Sequence, residues 1–131
     1  MTKPRKVMQL VVTTEDKPGM LEEVTAVLAK ENINIEAINA YGDEGEAIFY
    51  LIVKDNQKAK KALATKGWDV KEEEVVVVDL ENQPGSLNKI AAKLKKANVN
   101  LRYCYGSAAA AGTDQIVFKA IDNAQALNAL K

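Results

Sequence analysis

The chain of 131 residues contains a single cysteine and no histidine. Cys104 therefore has no partner for an internal disulfide, and nothing indicates an oxidising compartment. Zinc sites and cysteine nucleophiles that depend on an imidazole are excluded. We accordingly expect no metal and no cofactor.

Net charge and long apolar runs are also lacking. Eighteen basic and eighteen acidic residues cancel, so we expect neither nucleic acid nor a membrane as a partner. The first apolar stretch, residues 7–12, is interrupted by Gln9 and followed by Glu15 and Asp16, which does not fit a signal peptide. No segment is long enough to span a bilayer, so we expect a cytoplasmic protein.

An internal repeat organises the chain. Residues 16–35 align with residues 82–101 at a constant offset of 66, and Pro, Gly, Leu and two Asn fall in register. Beyond this block Asp55 matches Asp122, so the second copy has one extra residue. It is expected in the loop between the middle strands, residues 42–45 in the first copy and 106–112 in the second. We therefore expect two domains, residues 1–73 and 74–131.

Both copies predict the same series of elements. Apolar β-branched runs at 7–14 and 75–80 predict first strands. Apolar residues recur with helical spacing at Leu21, Val24, Val27 and Leu28 in the first copy, and in the second copy at Leu87, Ile90, Ala91 and Leu94. Pro18 and Pro84 are expected in the first turn of these helices.

Alternating residues then predict two further strands in each copy, at 33–35 and 48–53 and at 99–105 and 116–121. Asn32 and Asn98 stand where the first helices should end in a left-handed residue. Asp55 and Asp122 are expected to cap the second helices.

Residues 67–71 predict a fourth strand, followed by an acidic connection at Glu72–Glu74. The resulting order βαββαβ indicates an α+β class of two tandem ferredoxin-like two-layer sandwiches. The second copy stops after its last helix and lacks the last strand, which would leave residues 75–80 as an apolar edge. Truncation, a strand lent by the first copy or by another chain, and a tolerated loss stay open as explanations.

The Pro-Gly junctions between strand and helix are the candidate ligand-binding segments. The first N–H groups of a helix have no intrahelical partner and attract anions. Glycine at 19 and 85 would let a carboxylate approach the main chain. A free amino acid suits such a site, although a tight entry into a helix is the common alternative.

The pattern Asp16-x-Pro-Gly-x-Leu, followed by a helix and Asn-Ile-Asn-Ile, resembles the ACT domain, a regulatory amino-acid-binding module. The resemblance covers nearly the whole chain twice, as in small tandem ACT proteins. It implies modules that pair side by side, a homodimer, and effectors bound between the first loop and a neighbour's second strand. The residues that it marks for ligand binding are Asp16, Pro18, Gly19, Met20, Leu21, Asn34, Asn82, Pro84, Gly85, Ser86, Leu87 and Asn100.

Serine-sensing members of the family carry a polar residue two places before the Pro and an Asn that opens the second strand. Asn82 and Asn100 are similar to this pattern, whereas Asp16 offers a carboxylate for an ammonium group. The histidine of those sensors is replaced by Thr14 and Leu80, so the ligand is not specified. We expect two unequal sites or a single working one.

Two other classes of function compete with a sensor. Catalysis is disfavoured because the acidic pairs, such as Glu22 with Glu23, are sequence neighbours that point in different directions, and Cys104 has no cationic partner. A protein-interaction adaptor, or a regulatory subunit of a metabolic enzyme, is favoured by the exposed strand edges.

Overall fold

The computed structural model of the protein describes residues 3–107 and 113–131. Within these ranges it has six strands and four helices in an α+β arrangement: β1 (Arg5–Glu15), α1 (Met20–Lys30), β2 (Ala37–Asp43), β3 (Glu46–Ile52), α2 (Asn56–Ala64), β4 (Asp69–Glu81), α3 (Ser86–Lys96), β5 (Leu101–Ser107), β6 (Thr113–Ala120) and α4 (Asn123–Leu130). None of the helices described is long and apolar enough to cross a membrane. The loop in which the second copy is predicted to have its extra residue includes 108–112, which lie outside the described residues, so this prediction stays untested.

Two compact units divide the chain. The first unit is Met8–Glu73, and the second unit is Glu74–Lys131 together with the N-terminal stretch that ends at Val7. Both β1 and β4 therefore contribute residues to each unit. Neither unit is a simple half of the sequence.

In the first unit the strand order is β2-β3-β1-β4, and the pairs β1–β3 and β2–β3 are antiparallel. The predicted helical spacing is confirmed for Val24 and Leu28, which are fully buried with Leu10 and Leu51 of the strands. Leu21 was predicted on the same apolar face but is 57% exposed. It lies in the first turn of α1, beside the cleft described below rather than over the core.

The second unit has the strand order β1-β4-β6-β5. Its core contains Val76 and Val78 of β4, Phe118 of β6 and Leu94 of α3. The prediction that residues 75–80 form an uncovered edge is wrong, because β4 lies between β1 and β6. The beginning of β1 occupies the place of the missing strand, which agrees with a strand lent by the first copy.

The predicted acidic connection at Glu72–Glu74 is wrong as well. These residues lie inside β4, so the predicted fourth strand and the next first strand are one continuous element. Glu72 is not left to solvent, since its carboxylate accepts hydrogen bonds from Lys60 Nζ at 2.9 Å and Asn56 Nδ2 at 3.1 Å. These bonds, that of Lys60 foremost, lower the pKa of Glu72. Charge pairing allows an acidic run to stay in a strand.

The turn chemistry follows the sequence closely. Asn32 and Asn98 are left-handed with φ of 58° and 57°, as predicted. Asp55 and Asp122 cap α2 and α4 by accepting the backbone N–H of the third residue of each helix, Lys58 and Gln125, at 3.1 Å.

Three local predictions need correction. Pro18 and Pro84 precede the helices instead of lying in their first turn, because Gly19 and Gly85 take the N-cap position. The strand predicted at 33–35 begins only at Ala37, since Ile33 and Ile35 pack against the core from a connection outside the ladder.

Candidate ligand site

The loop between β1 and α1 of the first unit forms the start of the site. Gly19 is the N-cap of α1 with φ 93°, a left-handed conformation that glycine adopts without steric cost. The first helical bond runs from Glu23 N–H to Gly19 O at 3.0 Å. The N–H groups of Met20, Leu21 and Glu22 consequently have no intrahelical partner.

This loop and β2 enclose a cleft of about 280 Å³ in the first unit. Its floor is apolar, since Met20, Ala47 and Phe49 are all buried. Its rim is more open, with Leu21 57% and Tyr41 44% exposed. Asp16, Lys17, Gly19, Ala40 and Gly42 complete the lining.

Two charged side chains stand at the mouth of the cleft. Lys17 Nζ lies 3.1 Å from Glu15 Oε1, and this hydrogen-bonded pair raises the pKa of Lys17. The neighbouring Asp16 carboxylate makes no hydrogen bond or ion pair with any described residue, and only its main chain is held, by a bond from Asp16 N–H to Gly45 O at 3.0 Å. The first cleft therefore offers one uncommitted negative group beside free helix donors.

The second unit has a matching junction with different contacts. Gly85 is again a left-handed N-cap, with φ 87°. Here, however, Ser86 N–H already donates to Gln83 O at 3.2 Å, a bond that Met20 lacks in the first unit. The adjacent cleft of about 220 Å³ is lined by Leu80, Glu81, Gln83, Ser86, Lys89, Ile90 and Lys93.

The structure places the residues marked for ligand binding in four groups, of which Asn100 alone forms the last. Asp16, Gly19, Met20 and Leu21 come together in the first cleft. Ser86 alone lines the second. Pro18, Asn34, Asn82, Pro84, Gly85 and Leu87 line neither cleft.

Asn100 lies in a separate hollow of the second unit, with Asn98 and Lys95 near the end of α3. Its carbonyl accepts a bond from Ile121 N–H at 3.0 Å, which fixes its main chain. Asn100 and Asn34 are thus not brought to the glycine junctions of their own units.

Sequence reasoning missed the wall that β2 supplies, above all Gly42, Tyr41 and Ala40. Gly42 had been assigned to the loop between strands, although the alternation of its neighbours could have placed it in the strand. A larger groove of about 500 Å³ between α1 and α2 contains none of the predicted residues, and its rim is of mixed charge, with Glu22, Lys30 and Lys61 among its members. It offers no convergent set of polar groups.

Residues 8–65 match the ACT domain. A crystal structure of a protein from Bacteroides thetaiotaomicron superposes with a TM-score of 0.89 at 33% identity, over 97% of this chain and 88% of that one. The first unit therefore contains an ACT domain. No curated protein matches it.

More distant structures share the fold of this chain. The ligand-free regulatory subunit of aspartate kinase from Thermus thermophilus has a TM-score of 0.72 at 17% identity, over 99% of this chain and 95% of that one. Escherichia coli aspartokinase III in complex with lysine and aspartate has a TM-score of 0.57 at 17% identity, over 98% of this chain but 31% of the other.

Proposed function

We propose that the protein is a regulatory, non-catalytic sensor that binds a free amino acid in the cleft of the first unit. One observation carries the proposal: the cleft combines the unpaired helix N–H groups after Gly19, the uncommitted carboxylate of Asp16 and an apolar floor. These groups complement the carboxylate, the ammonium and the side chain of an amino acid.

We also propose that the chain is two ACT modules in tandem, residues 1–73 and 74–131, of which the second lacks its own last strand. The repeat at an offset of 66 supports this division. So does the recurrence of a left-handed glycine N-cap, a left-handed Asn and an Asp cap in both units. The second cleft, of whose predicted residues only Ser86 is in the lining, is proposed as the weaker site because one of its helix donors is already used.

The likenesses in fold agree with a metabolite sensor. The Thermus protein is described as a regulatory subunit, and the Escherichia coli enzyme was crystallised with two amino acids. By analogy, a metabolic enzyme is proposed as a partner of this chain.

The proposal is tested by measuring the melting temperature with each of the twenty amino acids. A ligand that binds only the folded state at 100 times its Kd should stabilise by roughly 2.7 kcal/mol. Asp16→Asn should weaken binding about tenfold or more, because a charge-assisted bond to the ammonium is lost. Asp69→Asn, an equal charge change outside the cleft, should leave binding unchanged.

Further variants test which of the two units binds the ligand. Gly85→Val and Asn100→Ala should leave the melting shift intact if the first cleft is the working site. If Gly85→Val and Asn100→Ala abolish the melting shift and Asp16→Asn does not, the ligand binds in the second unit. If no amino acid changes the melting temperature, the proposal of an amino-acid sensor is contradicted.

A second candidate is a regulatory subunit or adaptor with no ligand of its own. It is favoured by Leu21 and Leu87, which occupy equivalent positions and are 57% and 46% exposed. Large exposed apolar side chains at matched places are typical of contact surfaces. This second hypothesis includes a homodimer, and a strictly monomeric mass in solution would contradict the homodimer.

A further inference from the structure

The carboxylate of Asp16 lies directly over a glycine of the neighbouring strand. A Cβ atom built on Gly42 would stand 2.6 Å from Asp16 Oδ2, 3.2 Å from its Cγ and 3.5 Å from its Oδ1. Real Cβ atoms do not approach other atoms to 2.6 Å, so the carboxylate occupies space that only a glycine leaves open.

Gly42 is not required here for its backbone angles. It pairs with Ala47 within the regular β2–β3 ladder and is not among the residues of positive φ. Ala47 is buried on the face that carries the helices, and directly paired residues share a face. The missing side chain of Gly42 therefore opens the helix-bearing face at the point where Asp16 enters the cleft.

A side chain at position 42 would clash with the far end of a flexible residue and not with backbone. The first unit can relieve such a clash by rotating Asp16, at little cost in stability. The rotation would move the carboxylate out of its place in the cleft. A substitution at Gly42 should therefore move the charge of Asp16 while the stability of the first unit stays nearly the same.

The second unit has no equivalent arrangement. A Cβ on Gly106 of β5 would clash as well, but it would meet the Ile116 side chain and, at 2.6 Å, the carbonyl oxygen of Gln115. The residue that matches Asp16 is Asn82, which has no charge. Gly106 is needed for strand packing, whereas Gly42 makes room for a carboxylate.

We propose that Gly42 is the positioning residue for Asp16, and that the pair makes the first cleft select an α-amino acid over the corresponding 2-hydroxy acid. The apolar floor of Met20, Ala47 and Phe49 adds a preference for an aliphatic side chain. This inference rests on the proposed function and names its ligand class.

Calorimetric titration with L-leucine and with its 2-hydroxy analogue tests the inference. The wild-type protein should bind leucine about tenfold or more tightly than the analogue, because only leucine has an ammonium for the carboxylate. Gly42→Ala should remove most of this preference by weakening leucine alone, with a melting temperature near that of the wild type. In an Asp16→Ala background, Gly42→Ala should have no further effect on leucine binding.

Gly106→Ala is the matched control, since it adds the same methyl group to the edge strand of the second unit. It should lower the melting temperature and keep the preference for leucine. The inference is overturned if Gly42→Ala retains the wild-type preference, weakens both compounds equally, or weakens leucine binding further without Asp16.

Failure of the proposed function has a different signature. If the wild type binds none of the twenty amino acids, the sensor itself is contradicted. If it binds only amino acids whose side chains are not aliphatic, the aliphatic class is wrong. If it binds leucine and ignores the change at Gly42, only the positioning role is lost.

Discussion

The two units of the chain follow one plan and carry opposite charge. The first unit has 13 acidic and 8 basic residues, a net charge of −5, and the second has 10 basic and 5 acidic residues, a net charge of +5. The charged lining differs in the same sense, with Asp16 and Lys17 in the first cleft and Glu81, Lys89 and Lys93 in the second. The zero net charge of the chain is a cancellation between units.

The charge that a ligand meets is therefore set by the folded unit that binds it and not by the net charge of the whole chain. The zero net charge of the chain argued against a general attraction to anions. A ligand, however, is acted on mainly by the charges within about a Debye length of it. Similar sequence in the two copies does not imply equal ligands. Beside the same left-handed glycine junction, the charged lining residues sum to zero in the first unit and to +1 in the second.

The largest expected effect concerns the strand that the second unit takes from the N-terminus. A chain that begins at Met8 loses the part of β1 grouped with the second unit, so β4 should become an edge there. We expect a loss of about 2–3 kcal/mol in the second unit from its missing hydrogen bonds and packing. Faster amide exchange at residues 75–80 would report it.

Trp68 provides the internal control, because it packs against the core of the first unit. Its fluorescence midpoint in urea should change much less than the exchange rates do. A chain that begins at Arg5 keeps the whole strand and should resemble the full protein. Unchanged exchange in the chain that begins at Met8 would show that the second unit does not need the strand.

An intermediate effect is expected from the asparagines that open α2 and α4. Asn123 is 8% exposed, accepts Ala120 N–H at 3.0 Å and donates to Glu74 O at 2.7 Å. Asn123→Ala should cost about 2 kcal/mol, mainly because the Ala120 N–H is left buried without its partner, while Glu74 O keeps Lys119.

The matching residue of the first unit, Asn56, is only partly buried and bonds Met8 O at 2.8 Å. Asn56→Ala should cost about 1 kcal/mol, since water can reach part of the site. Asn128→Ala on the exposed side of α4 serves as the control, with no measurable change in urea midpoint. Equal losses at 56 and 123 would remove this difference between the units.

The smallest effect is expected from the ion pair between Arg5 Nη1 and Asp79 Oδ2, which are 2.8 Å apart. Both side chains are nearly half exposed, so the pair should contribute about 0.5 kcal/mol at low salt. A double-mutant cycle with Arg5→Gln and Asp79→Asn measures it. The coupling should vanish in 1 M salt because the charges are then screened. A coupling that persists there would require a contribution other than charge.

Local chemistry explains which predictions were confirmed. Left-handed Asn32 and Asn98 and the caps Asp55 and Asp122 depend on contacts within a few residues, which a sequence displays directly. The continuity of β4 through Glu72–Glu74 was missed because it depends on Lys60 and Asn56, distant residues that neutralise and bind Glu72. The Asp16–Gly42 contact was missed for the same reason, since strand pairing brings the two together.

The sequence by itself determined the repeat, the order of strands and helices and the glycine junctions, because short-range propensities and hydrophobic periodicity set them. Only the tertiary structure decided that the start of β1 belongs with the second unit, and that a glycine of β2 makes room for Asp16. Both depend on which distant segments pair within the sheet. Pairing follows from burying both elements together, a free energy that no single segment contains.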